Sequence, residues 1–117
     1  MVNIYIGLLR KDGTEPDAKS GYRRLCAGIY DIVSKPEIFG GKQFAFPTVT
    51  EPGYGEIASV AICEKEYGGK FLRVWDFKAA QDCHTGVIPV IYNGNLYRGM
   101  EVQAKVNMNT ADYVGGM

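Results

Sequence analysis

Strict alternation of apolar and polar side chains recurs in this chain and constrains its fold more than any other feature. An extended chain points successive side chains to opposite faces, so a period of two is typical of a β-strand. The alternating segments are residues 2–8, 56–64 and 101–106. The segment at 56–64 carries apolar residues at both parities, which predicts a central strand covered on both faces.

Turn-forming residues separate these segments along the whole chain. The 15 glycines and 5 prolines are spread from end to end and form no linker. Asn93-Gly94 is a dipeptide typical of two-residue hairpins, and Gly68-Gly69 can supply the positive φ that a tight turn needs. Further strands are predicted at residues 43–46, 71–77 and 87–92. About seven short strands predict an all-β fold, an antiparallel β-sandwich, with a barrel as the alternative architecture.

Residues 26–39 do not follow the alternation. Ile29, Ile32 and Val33 fit a helical stripe, so we expect a long loop or a short helical insertion there, preceded by a strand that begins near Tyr22. Pro36 disfavours helix at Lys35. Pro89 has no N–H to donate, so residues 87–92 are predicted to form an edge strand or to contain a bulge.

The length of 117 residues fits one domain. We predict a single domain over residues 1–110 and a flexible tail over residues 111–117. The 13 Lys and Arg balance 13 Asp and Glu, which removes the basic excess typical of a nucleic-acid partner. No apolar run approaches the ~20 residues that cross a bilayer, and no basic leader precedes one, so neither membrane insertion nor secretion is expected.

Side chains that carry chemistry are sparse. The single histidine, His84, follows Cys83 in a predicted exposed loop, where adjacent side chains usually diverge. Glu64, Glu66 and Asp76 are typical of solvated strand ends more than of a glycosidase pair. The sequence therefore predicts no catalytic, cofactor-binding or metal-binding residue, and no enzymatic activity.

The chain has an odd number of cysteines, Cys26, Cys63 and Cys83, and no Cys-x-x-Cys pair. A disulfide framework needs an even number and an oxidising compartment. We expect three free thiols, with Cys26 and Cys63 packed as small apolar residues.

Aromatic residues suggest a different kind of site, because they are enriched where subunits meet. A single sandwich buries one face of each sheet, yet the predicted strands at 56–64 and 71–77 are apolar on both faces. Those residues must be covered by the segment at 26–39 or face another subunit. The candidate subunit contacts are Tyr54, Ile57, Phe71, Trp75 and Phe77, with Tyr67, Tyr92 and Tyr97 as further tyrosines to consider.

The order of these signals is also informative. Five blocks matter: Tyr5-Ile6-Gly7-Leu8-Leu9, Ser20-Gly21-Tyr22-Arg23-Arg24, Phe46-Pro47-Thr48, Gly55-Glu56-Ile57-Ala58-Ser59-Val60-Ala61-Ile62 and Gly68-Gly69-Lys70-Phe71-Leu72. Through these blocks, nearly the full chain resembles a family of small structural proteins of bacteriophages and prophages, the tail-fibre or head-fibre proteins. Two features depart from the family pattern: Tyr54 stands where it has Trp, and the segment at 26–39 is longer and more hydrophobic.

The resemblance implies a non-enzymatic β-domain that forms homo-oligomers and attaches to other virion proteins. It implies a location in the virion, and in the host bacterial cytoplasm before assembly, without nucleic-acid or membrane partners. It carries over no catalytic, cofactor or metal residues. One alternative is a carbohydrate-binding β-sandwich that recognises a host surface glycan through aromatics near Tyr54 and Trp75. Another is a small hydrolase that uses Cys83 and His84.

Overall fold

The computed structural model describes residues 2–99, 101–102, 105–106 and 112–115 of the chain. In chain order the strands are β1 (Val2–Arg10), β2 (Leu25–Tyr30), β3 (Gln43–Ala45), β4 (Gly55–Cys63), β5 (Phe71–Cys83), β6 (Ile88–Tyr92), β7 (Asn95–Gly99), β8 (Glu101–Val102), β9 (Lys105–Val106) and β10 (Asp112–Gly115). A 3-10 helix at Ala18–Ser20 precedes β2, and a short α-helix, α1 (Lys35–Phe39), lies between β2 and β3.

The strands form two four-stranded sheets and a two-stranded ribbon. Sheet A has the order β2-β1-β4-β5 and sheet B the order β10-β7-β6-β3, while β8 pairs with β9. Every described pair is antiparallel. This confirms the predicted all-β, sandwich-like antiparallel fold with a short helical insertion within residues 26–39.

The alternation in the central strands of sheet A decides which face meets the core. On β1, Ile4, Ile6 and Leu8 are fully buried in the main core. β4 lies between β1 and β5 and buries both faces, because Ala61 and Cys63 form a second, smaller cluster with Leu9 on the opposite face. The prediction of a central strand at residues 56–64 is therefore confirmed.

The α-helix follows β2 directly and closes part of the core. Ser34 Oγ accepts a hydrogen bond from the Glu37 N–H at 3.4 Å, and α1 buries Ile38 and Phe39. Pro36 lies in the first turn, where its missing N–H has no helical partner to lose. The prediction that Pro36 disfavours helix at Lys35 is therefore wrong.

β5 is longer than the predicted strand at 71–77. Ser59 pairs with Asp76 and Ile57 with Gln81, so residues 77–80 of β5 stand against Ala58 alone and form a large bulge. Such a bulge breaks the alternation and hides the continuation of the strand. Cys83 is a buried strand residue, so the predicted exposed loop begins only at His84.

β6 and β7 form the hairpin that Asn93-Gly94 predicts. Tyr92 pairs with Asn95, and the two turn residues have φ values of 52° and 84°. β6 is nonetheless an inner strand that pairs with β7 and β3 without a register shift, so the prediction of an edge strand or a bulge from Pro89 is wrong. Proline is tolerated because it lies where the ladder with β3 ends: Ala45, the last residue of β3, pairs with Val90, and the Pro89 carbonyl still accepts a hydrogen bond from the Phe46 N–H at 2.9 Å.

The predicted strand at residues 101–106 is divided in two. Glu101 pairs with Val106 and Val102 with Lys105, which makes a ribbon of β8 and β9. Alternation alone does not distinguish one strand of six residues from two short strands that pair with each other. Asp112–Gly115 pairs with β7 as β10, while the flexibility of residues 111–117 and the domain limits stay predictions.

Three aromatic rings from connecting segments complete the main core beside sheet A. The Tyr22 ring stacks on Phe46 at a centroid distance of 6.2 Å and meets Tyr54 edge-on at 5.5 Å. The Tyr54 hydroxyl donates to the Pro47 carbonyl at 3.1 Å. This packing fixes the long connection between β1 and β2 against the sheet.

Candidate functional site

A cluster of one carboxylate, one guanidinium and one phenol is held in that connection. Arg24 Nη2 and Nε donate to Glu15 Oε1 and Oε2 at 2.6 and 3.0 Å. Tyr22 Oη donates to Glu15 Oε2 at 2.5 Å and accepts from the Leu8 N–H at 3.0 Å. Leu8 lies beyond Ile6, the last residue of β1 that pairs with β2. Arg24 is only 7% exposed. We call Glu15, Tyr22 and Arg24 the Arg24 network.

Arg24 also binds the turn between β4 and β5. Its Nη1 donates to the Lys65 carbonyl at 2.8 Å and to the Gly68 carbonyl at 2.9 Å. The guanidinium carbon lies 5.8 Å from the centre of the Phe71 ring. One side chain thus ties the connection between β1 and β2 to the turn between β4 and β5.

The local sequence explains how Glu15 reaches this position. After β1, the Arg10 N–H donates to the Thr14 carbonyl at 2.8 Å, which reverses the chain. Arg10 Nη1 then holds the Glu15 carbonyl at 3.2 Å. Gly7 leaves room for the network, because a Cβ there would lie 2.8 Å from Tyr22 Oη and 3.1 Å from Glu15 Oε2.

The three groups of the Arg24 network shift one another's pKa values. Burial acts to raise the pKa of Glu15, but the hydrogen bonds from Arg24 and Tyr22 outweigh it and lower that pKa. The hydrogen bond with Glu15 raises the pKa of Arg24 against the effect of its burial. Burial and the neighbouring carboxylate raise the pKa of Tyr22. The three groups are therefore most stable as a carboxylate, a guanidinium and a neutral phenol. Each is already hydrogen-bonded within the fold, which indicates a structural role for the network.

A cleft of about 320 Å³ lies beside the network, and we call it the Tyr67 cleft. The network forms one wall, while the side chains of Arg23, Glu66 and Tyr67 stand at the rim. Tyr67 is 83% exposed. A guanidinium, a carboxylate and an aromatic ring around a preformed concavity can bind a small polar ligand with a flat apolar face.

A second concavity of about 330 Å³ lies between α1 and the β6–β7 turn. Its wall includes Lys35, Pro36 and Asn93. Asn93 Oδ1 already accepts a hydrogen bond from the Gly41 N–H at 3.0 Å. We assign no role to this concavity.

Large apolar side chains are exposed on both edge strands of sheet A. On and just after β2, Ile29 is 65% and Ile32 63% exposed. On β5, Leu72 is 38% and Val74 44% exposed. Tyr92, on sheet B, is 42% exposed.

The predicted subunit contacts are dispersed by the fold. Tyr54 and Ile57 are fully buried and Phe77 nearly so, which leaves Tyr54 and Ile57 no surface with which to contact another subunit. Trp75 is half-buried under α1, where its ring lies 6.0 Å from the Phe39 ring and 5.8 Å from Lys35 Nζ. The insertion therefore covers Trp75. Phe71 lies half-buried beneath Arg24.

Cys83 and His84 do not form a nucleophile and base. Burial, followed by the neighbouring Asp82, raises the pKa of the Cys83 thiol to about 12, so the thiol stays protonated at neutral pH. His84 is exposed and its Nδ1 lies 3.0 Å from the Thr85 carbonyl.

The other two cysteines divide between core and surface. Cys63 is buried, which raises its pKa to about 11, whereas Cys26 is exposed, so the predicted packing role is wrong for Cys26. All three thiols are free in the structure. Cys26 is exposed because its strand lies at the edge of sheet A.

The acidic candidates stay at the surface. Glu64, Glu66 and Asp76 are exposed, and Asp76 accepts a hydrogen bond from Ser59 Oγ at 2.7 Å. Within the described residues, no group of three His, Cys, Asp or Glu side chains is placed to hold a metal ion. The helices of the same part of the chain are too short to cross a membrane.

Sequence reasoning missed the Arg24 network. Glu15, Tyr22 and Arg24 belong to a polar, turn-rich stretch that is typical of an exposed loop. The one available signal was the doublet Arg23-Arg24 next to an aromatic residue, directly before an apolar strand. Only the fold shows that the first arginine points to solvent and the second is buried.

Comparison of the chain with known protein families, curated proteins and solved structures found no match.

Proposed function

We propose that this chain is a non-enzymatic structural protein of a bacteriophage virion, of the tail-fibre or head-fibre type. It acts by self-association and by attachment to other virion proteins. The observation that carries this proposal is the exposure of Ile29, Leu72 and Val74 on the two edge strands of one sheet. The resemblance described under Sequence analysis supplies the virion as its setting.

Exposed apolar side chains on strand edges favour association. An edge strand presents unpaired N–H and C=O groups, and soluble monomers usually protect such edges with charge, proline or a bulge. In this chain the core is closed without Ile29 and Val74, so their exposure serves no packing purpose within the described residues. Rigid β-domains with apolar edges are suited to repeated contacts between identical copies.

The chemistry of the chain agrees with a role without catalysis. The Cys83 thiol is buried and protonated, and the acidic and basic groups of the Arg24 network satisfy each other. These features weigh against the hydrolase alternative.

Size-exclusion chromatography with light scattering tests the self-association. We expect a mass that is a multiple of 12.9 kDa and that falls on dilution. A mass of 12.9 kDa at every concentration would contradict the proposal. Genes for capsid, portal or tail proteins on either side of this gene are the expected result for the virion setting, and flanking metabolic genes would count against it.

The Tyr67 cleft favours a second candidate function, the recognition of a host surface glycan. The aromatic platform is Tyr67 and not, as the sequence suggested, the buried Tyr54 or the covered Trp75. In a glycan-array measurement, wild type would bind, Tyr67→Ala would lose binding and Tyr92→Ala, at an exposed tyrosine outside the cleft, would retain it. Binding that is absent, or that survives Tyr67→Ala, would exclude this function for the cleft.

A further inference from the structure

We infer that copies of this chain associate head to tail, with β2 of one copy pairing antiparallel with residues 71–76 of β5 of the next. The inference rests on the self-association proposed above and adds the surface, the partner and the geometry. The occupant of each edge is a second copy of this chain.

The topology of sheet A permits this contact. Its four strands alternate in direction, so the edge strands β2 and β5 run in opposite directions. A neighbouring copy in the same orientation therefore presents its β2 antiparallel to β5. In the extended sheet, the main cores of all copies lie on the same face. No helix or loop therefore has to cross from one face of the sheet to the other.

The two edges match in length and in side chains. β2 has six residues with one irregularity at Ala27, and β5 has six residues with one irregularity at Leu72 before the large bulge that begins at residue 77. Ile29 pairs with Asn3, and Val74 pairs with Ala61, which places both on the face of sheet A that lies opposite the main core. An alignment with Ile29 opposite Val74 joins two exposed β-branched residues on one face.

Charge complementarity supports the same alignment. It brings Asp31, the residue after β2, opposite Leu72 and diagonal to Lys70, the residue before β5. At the other end Asp76 lies opposite Ala27. Opposite charges therefore meet, and no like charges face each other across the contact.

The β5 edge keeps its hydrogen-bonding capacity in this region. Residues 71–76 contain no proline and pair with β4 on one side. β10 packs against β5, but within the described residues it is hydrogen-bonded only to β7. A contact between two different edges repeats with every copy, so it generates a ring if the rotation closes and a filament if it does not.

Two single-edge variants test this geometry. Ile29→Lys blocks the β2 edge and Val74→Lys blocks the β5 edge, and both positions are exposed, so the variants are expected to fold, which circular dichroism checks. Each variant alone is expected to be a monomer of 12.9 kDa by light scattering. A 1:1 mixture is expected to form a dimer of twice that mass, because each variant retains the edge that the other has lost. Tyr92→Lys, on sheet B, is the matched control and should keep the wild-type mass.

The possible failures are distinguishable. If both variants keep the wild-type mass, self-association stands but uses another surface, and this inference is overturned. If Val74→Lys is monomeric while Ile29→Lys still oligomerises, the contact joins two β5 edges and the head-to-tail geometry is wrong. A mixture that stays monomeric also overturns it. A monomeric wild type would contradict the self-association on which this inference rests.

Discussion

Among single residues, Arg24 has the clearest expected effect on stability. Arg24→Ala would leave the Glu15 carboxylate with Tyr22 as its only side-chain partner among the described residues, and would remove the Arg24 donor from the Lys65 and Gly68 carbonyls. Breaking a buried pair costs about 3–5 kcal/mol. Because the Glu15 side chain is 23% exposed, we expect the lower end, about 3 kcal/mol, in the free energy of unfolding by urea.

Arg23→Ala is the matched control for that measurement. Arg23 is the adjacent arginine, exposed at the rim of the Tyr67 cleft, and its loss is expected to change the free energy of unfolding by no more than about 0.5 kcal/mol. Equal effects of the two substitutions would mean that the Arg24 network contributes nothing to stability.

The decrease of the unfolding free energy in acid should depend on Glu15. Its pKa is lower in the folded than in the unfolded state, where it is near 4.5, so unfolding takes up a proton in acid. The stabilisation is present above pH 4.5 and is lost as the pH falls through the folded pKa. Glu15→Gln should be less stable at neutral pH but should lose less stability on acidification. Parallel profiles of unfolding free energy against pH for the two proteins would contradict this.

Gly7 is expected to resist even the smallest substitution. A Cβ at this position would lie 2.8 Å from Tyr22 Oη, which two hydrogen bonds hold in place. We expect Gly7→Ala to cost about 1–3 kcal/mol. In a Tyr22→Phe background the same substitution should cost less, because the closest atom is gone, and a double-mutant cycle measures the difference. Additive effects would show that the hydroxyl is not the obstacle.

At the level of elements, α1 and β5 support each other through Trp75. The ring meets Phe39 edge-on and carries Lys35 over its face. Trp75→Ala should lower the free energy of unfolding by about 2–3 kcal/mol, less than for a fully buried ring. Lys35→Ala should cost no more than about 1 kcal/mol. Because the contact lies within one chain, the loss should not depend on protein concentration in urea unfolding, whereas a subunit contact would make it do so.

Elements that depend on neighbouring residues were predicted correctly, whereas features that depend on distant residues were not. Alternation and the Asn93-Gly94 turn depend on neighbouring residues, and they correctly predicted β1, β4 and the β6–β7 hairpin. The error at Pro89 had a long-range cause, since only the end of the β3 ladder shows why an inner strand accepts proline. The bulge at residues 77–80 likewise depends on the partner strand.

The candidate site was less predictable than the fold. Exposure of Tyr67 and burial of Tyr54 have no counterpart in the local sequence, since each tyrosine is followed by glycine. Their environments are decided by the loop between β1 and β2, which brings Tyr22 against Tyr54 and Arg24 against the turn that holds Tyr67. Contacts between residues more than forty positions apart, such as Arg24 with Gly68, are invisible to periodicity.

For the whole molecule, self-association should appear as a dependence of thermal stability on concentration. A partner that binds only the folded chain stabilises it by mass action, by about 1.4 kcal/mol per tenfold increase in free partner above the dissociation constant. For a chain of this size we expect the melting temperature to fall by about 6 °C per tenfold dilution, and calorimetry or circular dichroism measures it. Val74→Lys should melt at one temperature at all concentrations, close to that of highly diluted wild type, because it lacks one edge of the contact. If the wild type also melts at one temperature over a hundredfold dilution, the chain acts as a monomer, and recognition of a ligand in the Tyr67 cleft becomes the better supported function.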